Sequence, residues 1–364
     1  MRLRGLLAAL ALAAATPAFA QQAATAPQWK VAGERLLFEA PGFSAPLSAG
    51  GVTHYETKEL HGGLDTILLY RTPDQEVLAS LYVYLPSISH PGIQLVSTEN
   101  AIEAASNGAA TKLGITRERV GEVAGAALAA EYRGYLGKLH SRAAFIKVGR
   151  WMVKVRVSGP EARAGEVAAA MAALLAGLRF EGKAQPRPVE TLDIGSCPAT
   201  EEKEAKLVGD AATDLEAAIG ATFDATGMEV SGPRAEKRPA VLGRIGRRWC
   251  RSDLEVGESR VPVLRSLDSD RRDDGARAML LALYSDAGGM IEIMRLPKDR
   301  RHVLLRHGIG MVEVLGTYDA MPSLAQVREL FGNPGEAGKV HARVSLKANG
   351  NTEIEVAGAK GPQT

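Results

Sequence analysis

Four side chains that could bind a metal ion are clustered between residues 51 and 65: His54, Glu56, His61 and Asp65. Imidazole nitrogens and carboxylate oxygens are ligands that zinc and related ions accept. If the segment is a strand, His54 and Glu56 share one face, because side chains alternate along a strand. His61 lies beyond a predicted turn, and the spacing matches no known ligand pattern. We therefore interpret the segment as a solvent-exposed edge or hairpin, keep the metal site as the alternative, and predict no cofactor.

A strongly basic stretch occupies residues 232–251, which contain seven basic side chains and one acidic side chain. Its candidate anion-binding residues are Arg244, Arg247, Arg248 and Arg251, because guanidinium groups fit the oxygens of a phosphate-bearing lipid or polyanion. The alternative is that these arginines form ion pairs within the protein, since the seven acidic side chains between residues 253 and 274 can pair with them across neighbouring strands. We favour the internal pairing.

Other chemical signatures are weak. His302 and His307 are five residues apart, so on a strand they point to opposite faces and cannot bind one ion; we predict ordinary surface histidines. The chain contains no H-E-x-x-H, G-x-S-x-G or S-x-x-K motif and no glycine loop for phosphate. This favours a non-enzymatic protein and leaves open a catalytic site assembled from distant residues.

The N-terminus has the pattern of a secretory signal peptide at residues 1–20. Two arginines precede an apolar run from residue 5 to residue 15, and an A-x-A sequence ends at Ala20. We predict cleavage between Ala20 and Gln21. The apolar run is far shorter than the roughly 20 residues that span a bilayer, so we expect no transmembrane anchor in the mature chain. The predicted location is the periplasm or the exterior of the cell.

The only two cysteines, Cys197 and Cys250, are then expected to form a disulfide, because export removes them from the reducing cytosol. The bond would close a loop of about 54 residues, for which chain entropy gives roughly 4 kcal/mol of stabilisation.

Composition limits the partners. The chain has 44 basic and 42 acidic side chains, and the signal peptide contains two of the arginines, so the mature chain is neutral. Neutrality argues against nucleic acid as the main partner. A hydrophobic content of 46% in 364 residues suggests two globular domains. The partner is therefore expected to be an envelope protein or a small ligand; the oligomeric state is left open.

Alternating patterns predict the elements of a first unit. The face of the second strand that carries Tyr82 and Tyr84 is expected to be aromatic and half polar, and to offer an exposed binding surface or an oligomer interface. Ser97 or Thr98 is the expected cap of the first helix. The predicted elements are a hairpin of strands 66–72 and 76–85, a helix to about residue 113, a meander of strands at 117–123, 127–136, 140–148 and 150–158, and a helix over 164–178.

This element order, with the strand from Gly125 to Tyr132, the strand that begins at Trp151 and a closing helix that ends in Leu178-Arg-Phe180, resembles the PsbP-like family of exported α+β domains. The resemblance covers residues 28–182 and implies an architecture only. That fold supports several unrelated roles, so no functional residue carries over.

The remainder resembles no family that we recognise. Residues 183–196 are the predicted linker, and residues 197–364 are predicted to form a second domain. It should contain a helix at 199–223, six strands between 246 and 317, a short helix at 323–331 and a terminal hairpin at 340–356. We therefore predict an α+β protein of two domains, 21–182 and 197–364, each an antiparallel sheet with helices packed on it. A diverged duplication is conceivable, but no internal similarity supports it.

The function predicted from these observations is that of an exported, non-enzymatic envelope protein that binds a ligand or a protein partner. The alternative is a cell-envelope hydrolase with a composite site between the two domains.

Overall fold

The computed structural model describes residues 29–39, 42–182, 184–198, 203–208, 245–268, 277–296, 301–332, 338–347 and 351–356. Of the described residues, 54% are in strands and 17% are in helices, so this part of the protein is mostly β. The prediction of an α+β fold is therefore wrong. Most strands lie in large antiparallel sheets, because long alternating segments pair with their neighbours along the chain. The described residues contain three α-helices, too few to form a layer on each sheet.

Two sheets come from the first half of the chain. The small sheet has the order β1-β2-β3-β12, and the N-terminal sheet has the order β4-β5-β6-β7-β11-β10-β9-β8. The strands are β1 (Trp29–Ala32), β2 (Arg35–Phe38), β3 (Phe43–Pro46), β4 (Ser48–Ala49), β5 (Val52–Leu60), β6 (Asp65–Arg71), β7 (Leu78–Tyr84), β8 (Thr111–Val120), β9 (Val123–Tyr135), β10 (Leu139–Val148), β11 (Trp151–Pro160) and β12 (Arg179–Phe180). The N-terminal sheet contains the predicted hairpin, β6 with β7, and the predicted meander from β8 to β11.

The first helix, α1, runs over Pro91–Ala105 and starts earlier than predicted. Its cap is His90, whose Nδ1 accepts a hydrogen bond from the backbone N–H of Gly92 at 3.1 Å. Proline is favoured at the first helical position, because its fixed φ is already helical and its missing N–H has no partner there. Ser97 and Thr98 are interior residues of α1 and not its caps, and residues 111–113 already belong to β8.

The second helix, α2 (Ala164–Gly177), has nearly the predicted bounds. Val167, Met171, Leu174 and Leu175 recur at helical spacing and are buried against the N-terminal sheet.

The second half of the chain forms the C-terminal sheet, whose nine strands are ordered as in the sequence. Its strands are β13 (Asp193–Ser196), β14 (Arg248–Val256), β15 (Ser259–Ser266), β16 (Arg277–Leu283), β17 (Met290–Arg295), β18 (His302–Gly308), β19 (Met311–Tyr318), β20 (Ala342–Leu346) and β21 (Thr352–Val356). β13 is parallel to β14, and the other neighbours are antiparallel. A helix, α3 (Leu324–Gly332), lies between β19 and β20, and its start is capped where Ser323 Oγ accepts from Gln326 N.

The predicted helix at 199–223 is not found in the part that the structure describes. Residues 203–208 are extended, and Leu207 forms an isolated bridge with Tyr318. The rest of that prediction lies outside the described residues.

α1 is packed between the N-terminal and C-terminal sheets. Leu95 and Ile102 join a buried cluster with Phe145 of β10, while Ile93 and Val96 join another with Trp249 of β14. A helix that is apolar on two sides is buried on two sides.

The two halves also meet at the end of β7. The N–H of Gly310 donates to the carbonyl oxygen of Leu85 at 2.9 Å, and Ser87 Oγ donates to the carbonyl oxygens of Gly308 and Met311. One buried cluster contains residues of both sheets, among them Trp151 and Val312. The last residues of the predicted linker form β13, so this part of it belongs to the C-terminal sheet. The two-domain division itself stays a prediction.

The predicted disulfide is confirmed. Cys197 and Cys250 are joined by an S–S bond of 2.09 Å, with Cys197 just after β13 and Cys250 in β14. No helix in the described ranges is long and apolar enough to cross a membrane. The predicted signal peptide, with Ala20 and Gln21, lies outside the described residues.

Two partly buried histidines should make the free energy of unfolding depend on pH. Burial lowers the pKa of His90 to about 4, with a smaller effect of Lys147, and burial with Arg295 lowers the pKa of His302 to about 4. Above pH 6.5 both rings are neutral in the folded and unfolded states. Between pH 6.5 and 4 only the unfolded state binds the proton, so stability is lost as the pH falls, by up to about 3 kcal/mol for each ring.

We expect His90→Asn to reduce this loss, because asparagine keeps an acceptor for Gly92 N–H and does not titrate. Urea unfolding at pH 7.5, 5.5 and 4.5 measures the difference. Parallel pH curves for the wild type and the variant would contradict the assignment to His90.

Candidate functional site

The structure does not bring the four candidate metal ligands together. A β-bulge lies between His54 and Glu56, so that His54 pairs with Tyr70 of β6 and Glu56 pairs with Leu69. Tyr70 and Leu69 are consecutive and point to opposite faces, so His54 and Glu56 do too. The prediction that His54 and Glu56 share a face is wrong. His54 Nε2 is hydrogen-bonded to Thr57 Oγ1 at 2.9 Å, and His61 Nδ1 lies 3.9 Å from Asp65 Oδ2. No group of three or more potential metal ligands occurs within the described residues.

Three of the four candidate anion-binding arginines can be located, and each has a carboxylate within ion-pair distance. Arg247 lies 3.2 Å from Glu190, and Arg248 lies 3.1 Å from Asp268. Arg251 lies 3.3 Å from Asp253 and is also near two glutamates of α1. Arg244 lies outside the described residues.

His307 is not the surface residue that the sequence indicated. Its ring is buried, and its Nε2 lies 2.7 Å from Oε2 of the equally buried Glu292. His302 is partly buried. Both rings are shielded because β18 lies inside the nine-stranded sheet, with packed side chains on both faces.

A different set of polar residues lies on the face of the N-terminal sheet that α1 partly covers. α1 packs over β9 and β10, whereas the same face of β6, β7 and β11 is partly exposed. We call the polar part of this open region the polar ledge. It consists of Ser80, Tyr82, Lys154, Arg156 and Ser158.

Strand register places these five side chains side by side. Ser80 of β7 is directly opposite Arg156 of β11, and Tyr82 is directly opposite Lys154. Directly paired residues lie on the same face of an antiparallel sheet, about 5 Å apart. The intervening residues, such as Leu81 and Val155, face the core on the other side.

Lys154 is the buried charge of the ledge, with a side chain only 4% exposed. Its Nζ lies 2.7 Å from Oδ2 of Asp286, in the loop between β16 and β17. The ammonium also lies 5.3 Å from the ring centroid of Tyr82 and 5.7 Å from that of Phe145. Burial lowers the pKa of Lys154, and Asp286 opposes that effect.

Two buried polar residues, Asp65 of β6 and Tyr84 of β7, lie beside the ledge on the same face of the sheet. Asp65 is directly opposite Tyr84, and burial raises the pKa of both side chains. Tyr84 is fully enclosed and donates its hydroxyl hydrogen to Gln94 Oε1 of α1 at 3.0 Å. The expectation of an exposed aromatic face is therefore wrong for Tyr84, because α1 covers it, whereas Tyr82 is partly exposed.

Arg156 is the residue of the ledge whose hydrogen-bonding capacity is not filled by the described residues. Its guanidinium lies 4.2 Å from the ring centroid of Tyr135, and its Nε donates to Ser141 Oγ at 3.4 Å. Its Nη2 is buried and has no hydrogen-bond partner among the described residues, none of whose carboxylates forms an ion pair with it. A buried guanidinium N–H without an acceptor is costly. An anion would supply that acceptor if the side chains that cover Nη2 moved aside to admit it.

Parts of the ledge are visible in the sequence, although they do not indicate a site there. The half-polar strand face of Tyr82 is one of them, and alternation in the strand from Trp151 puts Lys154, Arg156 and Ser158 on one face. Asp286 is not visible in this way, because that residue is distant in the chain and reaches Lys154 only through the packing of the two sheets.

Comparison with known proteins shows no family for this chain. No family model and no curated protein matches it. Among solved structures, it matches a chain from Bacteroides thetaiotaomicron VPI-5482 at 13% identity over 65% of this chain and 88% of that chain, with a TM-score of 0.23. A TM-score this low supports no argument about fold or function. The PsbP-like resemblance stays a prediction.

Proposed function

We propose that this protein is an exported, non-enzymatic binding protein that holds a small monocarboxylate ligand on the polar ledge. The observation that carries the proposal is the buried Nη2 of Arg156, which has no hydrogen-bond acceptor among the described residues and lies at the partly exposed end of the polar ledge. Guanidinium groups bind carboxylates by paired, charge-assisted hydrogen bonds.

The charges of the ledge favour a monoanion. Asp286 neutralises Lys154, so Arg156 is the one cation of the ledge without a paired carboxylate in the described part of the chain. A single carboxylate balances that charge. The hydroxyl groups of Ser80 and Ser158 flank Arg156. They contact Tyr82 and Ser141, respectively, and each would have to turn from that partner to donate to the second carboxylate oxygen.

Apolar surface beside Arg156 favours a ligand with an alkyl or aryl body. Leu78 is 47% exposed and is directly opposite Ser158, and Tyr82 is the next partly exposed aromatic residue on the same face of β7. Small-molecule sites combine apolar lining with a few placed polar groups.

Export to the periplasm or the exterior is supported by the disulfide, which persists outside the reducing cytosol, and by the signal-peptide pattern of residues 1–20. The alternative hydrolase would need a nucleophile, a base and oxyanion donors in one place. Among the described residues, Arg156 contacts Tyr135 and Ser141, which do not form such a set, so we develop the binding proposal.

The test is calorimetric titration of the mature protein with benzoate and hexanoate, and with benzamide and hexanamide, which keep the same apolar bodies without the charge. We expect the carboxylates to bind and the amides not to bind. Arg156→Ala should weaken carboxylate binding at least about tenfold, because a hydrogen bond to a charged group contributes about 1.5–3 kcal/mol. Arg156→Lys should restore part of the affinity, since lysine keeps the charge without the planar fork.

Arg133→Ala is the matched control, since Arg133 is an exposed arginine of β9 in the same sheet. It should leave the affinity unchanged. Equal binding of carboxylates and amides, no heat with either carboxylate, or unchanged affinity in a folded Arg156→Ala variant would each count against the proposal.

A further inference from the structure

β8 is a long edge strand that the described part of the protein leaves open. It is ten residues long and ends the N-terminal sheet, where β9 is its only partner among the described strands. Residues 111–117 are exposed without interruption. The outer backbone groups of such a strand can pair with another strand, and proteins usually shorten, cover or bulge their edges to prevent this. β8 has a bulge near each end, between Lys112 and Gly114 and between Glu118 and Val120, and the residues from Gly114 to Glu118 keep the regular register that can accept a strand.

The exposed side chains of β8 include apolar ones at its centre. Leu113 is 46% exposed and Ile115 is 49% exposed, although both are large aliphatic residues. Ile115 lies on the same face of the sheet as Ala130 of β9, which is buried under α1. An arriving strand would cover this aliphatic surface and continue the sheet.

The charges of β8 indicate the chemistry of the partner. Lys112 and Glu118 have partners within the protein, Glu99 and Arg142. Arg117 donates to Thr191 Oγ1 and Arg119 to the carbonyl oxygen of Glu122, so each contacts a neutral oxygen. Neither forms an ion pair in the described part of the protein. The C-terminal half of β8 thus has two arginines that acidic side chains would complement.

We propose that β8 accepts an extended segment of another protein by strand addition. The segment has aliphatic side chains that cover Leu113 and Ile115 and acidic side chains that pair with Arg117 and Arg119. Main-chain hydrogen bonds supply the affinity, and the side chains supply the specificity. This site is separate from the polar ledge and does not depend on the monocarboxylate proposal.

A second copy of this chain fits the edge less well. The charged residues of β8 are Lys112, Arg117, Glu118 and Arg119, three basic and one acidic. Two such strands would bring excess positive charge together, and like charges on paired strands are destabilising. The partner therefore differs from β8 itself.

The test uses a fluorescein-labelled decapeptide of alternating valine and threonine with two glutamates near one end, and a control peptide with lysine in place of each glutamate. We expect the acidic peptide to bind at least tenfold more tightly than the lysine peptide in fluorescence anisotropy. Hydrogen exchange should show new protection of backbone amides between residues 111 and 119.

Ile115→Lys should weaken peptide binding at least tenfold, because it introduces a charge on the edge. Its exposed position should leave the thermal unfolding temperature close to that of the wild type. Arg117→Glu/Arg119→Glu should reverse the preference between the two peptides, which a misfolded variant would not do. Arg156→Ala should bind the acidic peptide as the wild type does, which separates this site from the ledge.

Equal binding of the two peptides, or peptide binding without protection of β8, would overturn the proposal. So would light scattering that shows a dimer in the absence of peptide together with protected β8 amides, since a second copy would then occupy the edge.

Discussion

Loss of the disulfide between Cys197 and Cys250 is expected to lower the free energy of unfolding by about 4 kcal/mol. The two cysteines are separated by 53 residues, and a cross-link over that length removes this much loop-closure entropy from the unfolded chain. The bond also holds the end of β13 against β14 at the edge of the C-terminal sheet, where the parallel pair β13–β14 is short. A loss of this size is a large part of the stability of an ordinary domain.

The measurement is urea unfolding at 25 °C of the wild type, of the wild type in reducing agent and of Cys197→Ala/Cys250→Ala. The reduced wild type and the double variant should lose similar stability relative to the oxidised wild type, because alanine leaves only a small cavity at the buried Cys250. Reducing agent should have no further effect on the double variant. A loss below about 1 kcal/mol in both forms would show that the bond does not constrain the unfolded chain as expected.

Asp286→Ala should cost about 3 kcal/mol, because it leaves the ammonium of Lys154 buried without its carboxylate. Lys154→Met should cost much less, below about 1.5 kcal/mol. Methionine replaces the lysine with an apolar side chain of similar length beside the rings of Tyr82 and Phe145, and the side chain of Asp286 is 37% exposed and can be solvated. The asymmetry between the two single variants is the specific prediction.

The double variant Lys154→Met/Asp286→Ala completes the cycle. It should be more stable than Asp286→Ala alone, since no buried charge remains without a partner. Chemical denaturation of all four proteins at pH 7 gives the coupling energy. If the double variant is as unstable as Asp286→Ala, the loss of stability comes from the loop between β16 and β17 and not from the unpaired ammonium of Lys154.

Local patterns predicted the elements whose pairing is local. The hairpin around Pro73-Asp74 and the meander from β8 to β11 follow from period-two alternation and turn residues between adjacent strands. α2 follows from the helical spacing of its apolar residues. The disulfide follows from a count of two cysteines in a chain predicted to be exported.

The start of α1 and the fold class could not be obtained in this way. Ser97 and Thr98 are good capping residues, yet α1 starts at Pro91, because its first turn packs against the C-terminal sheet. Tertiary burial outweighs a local capping preference. The prediction of too much helix was wrong for a similar reason. Local spacing shows neither that α1 packs between two sheets nor that residues 203–208 are not helical.

The site was predictable in part. Alternation puts Lys154 and Arg156 on one strand face, but register decides that they meet Tyr82 and Ser80. The bulge that separates His54 from Glu56 depends on the pairing with β6, and the burial of His307 depends on its place within the C-terminal sheet. These features arise from contacts between distant segments, which spacing along one segment does not encode.

The proposed function requires that the guanidinium of Arg156 binds the carboxylate of the ligand. The most direct measurement is NMR of the arginine side chains in ¹⁵N-labelled protein during titration with benzoate, with Arg156→Lys used to assign the signal. We predict that the side-chain N–H signals of Arg156 shift and slow their exchange with water as benzoate binds, while those of Arg133 stay unchanged. Benzoate binding that leaves the signals of Arg156 unchanged would show that Arg156 does not hold the carboxylate.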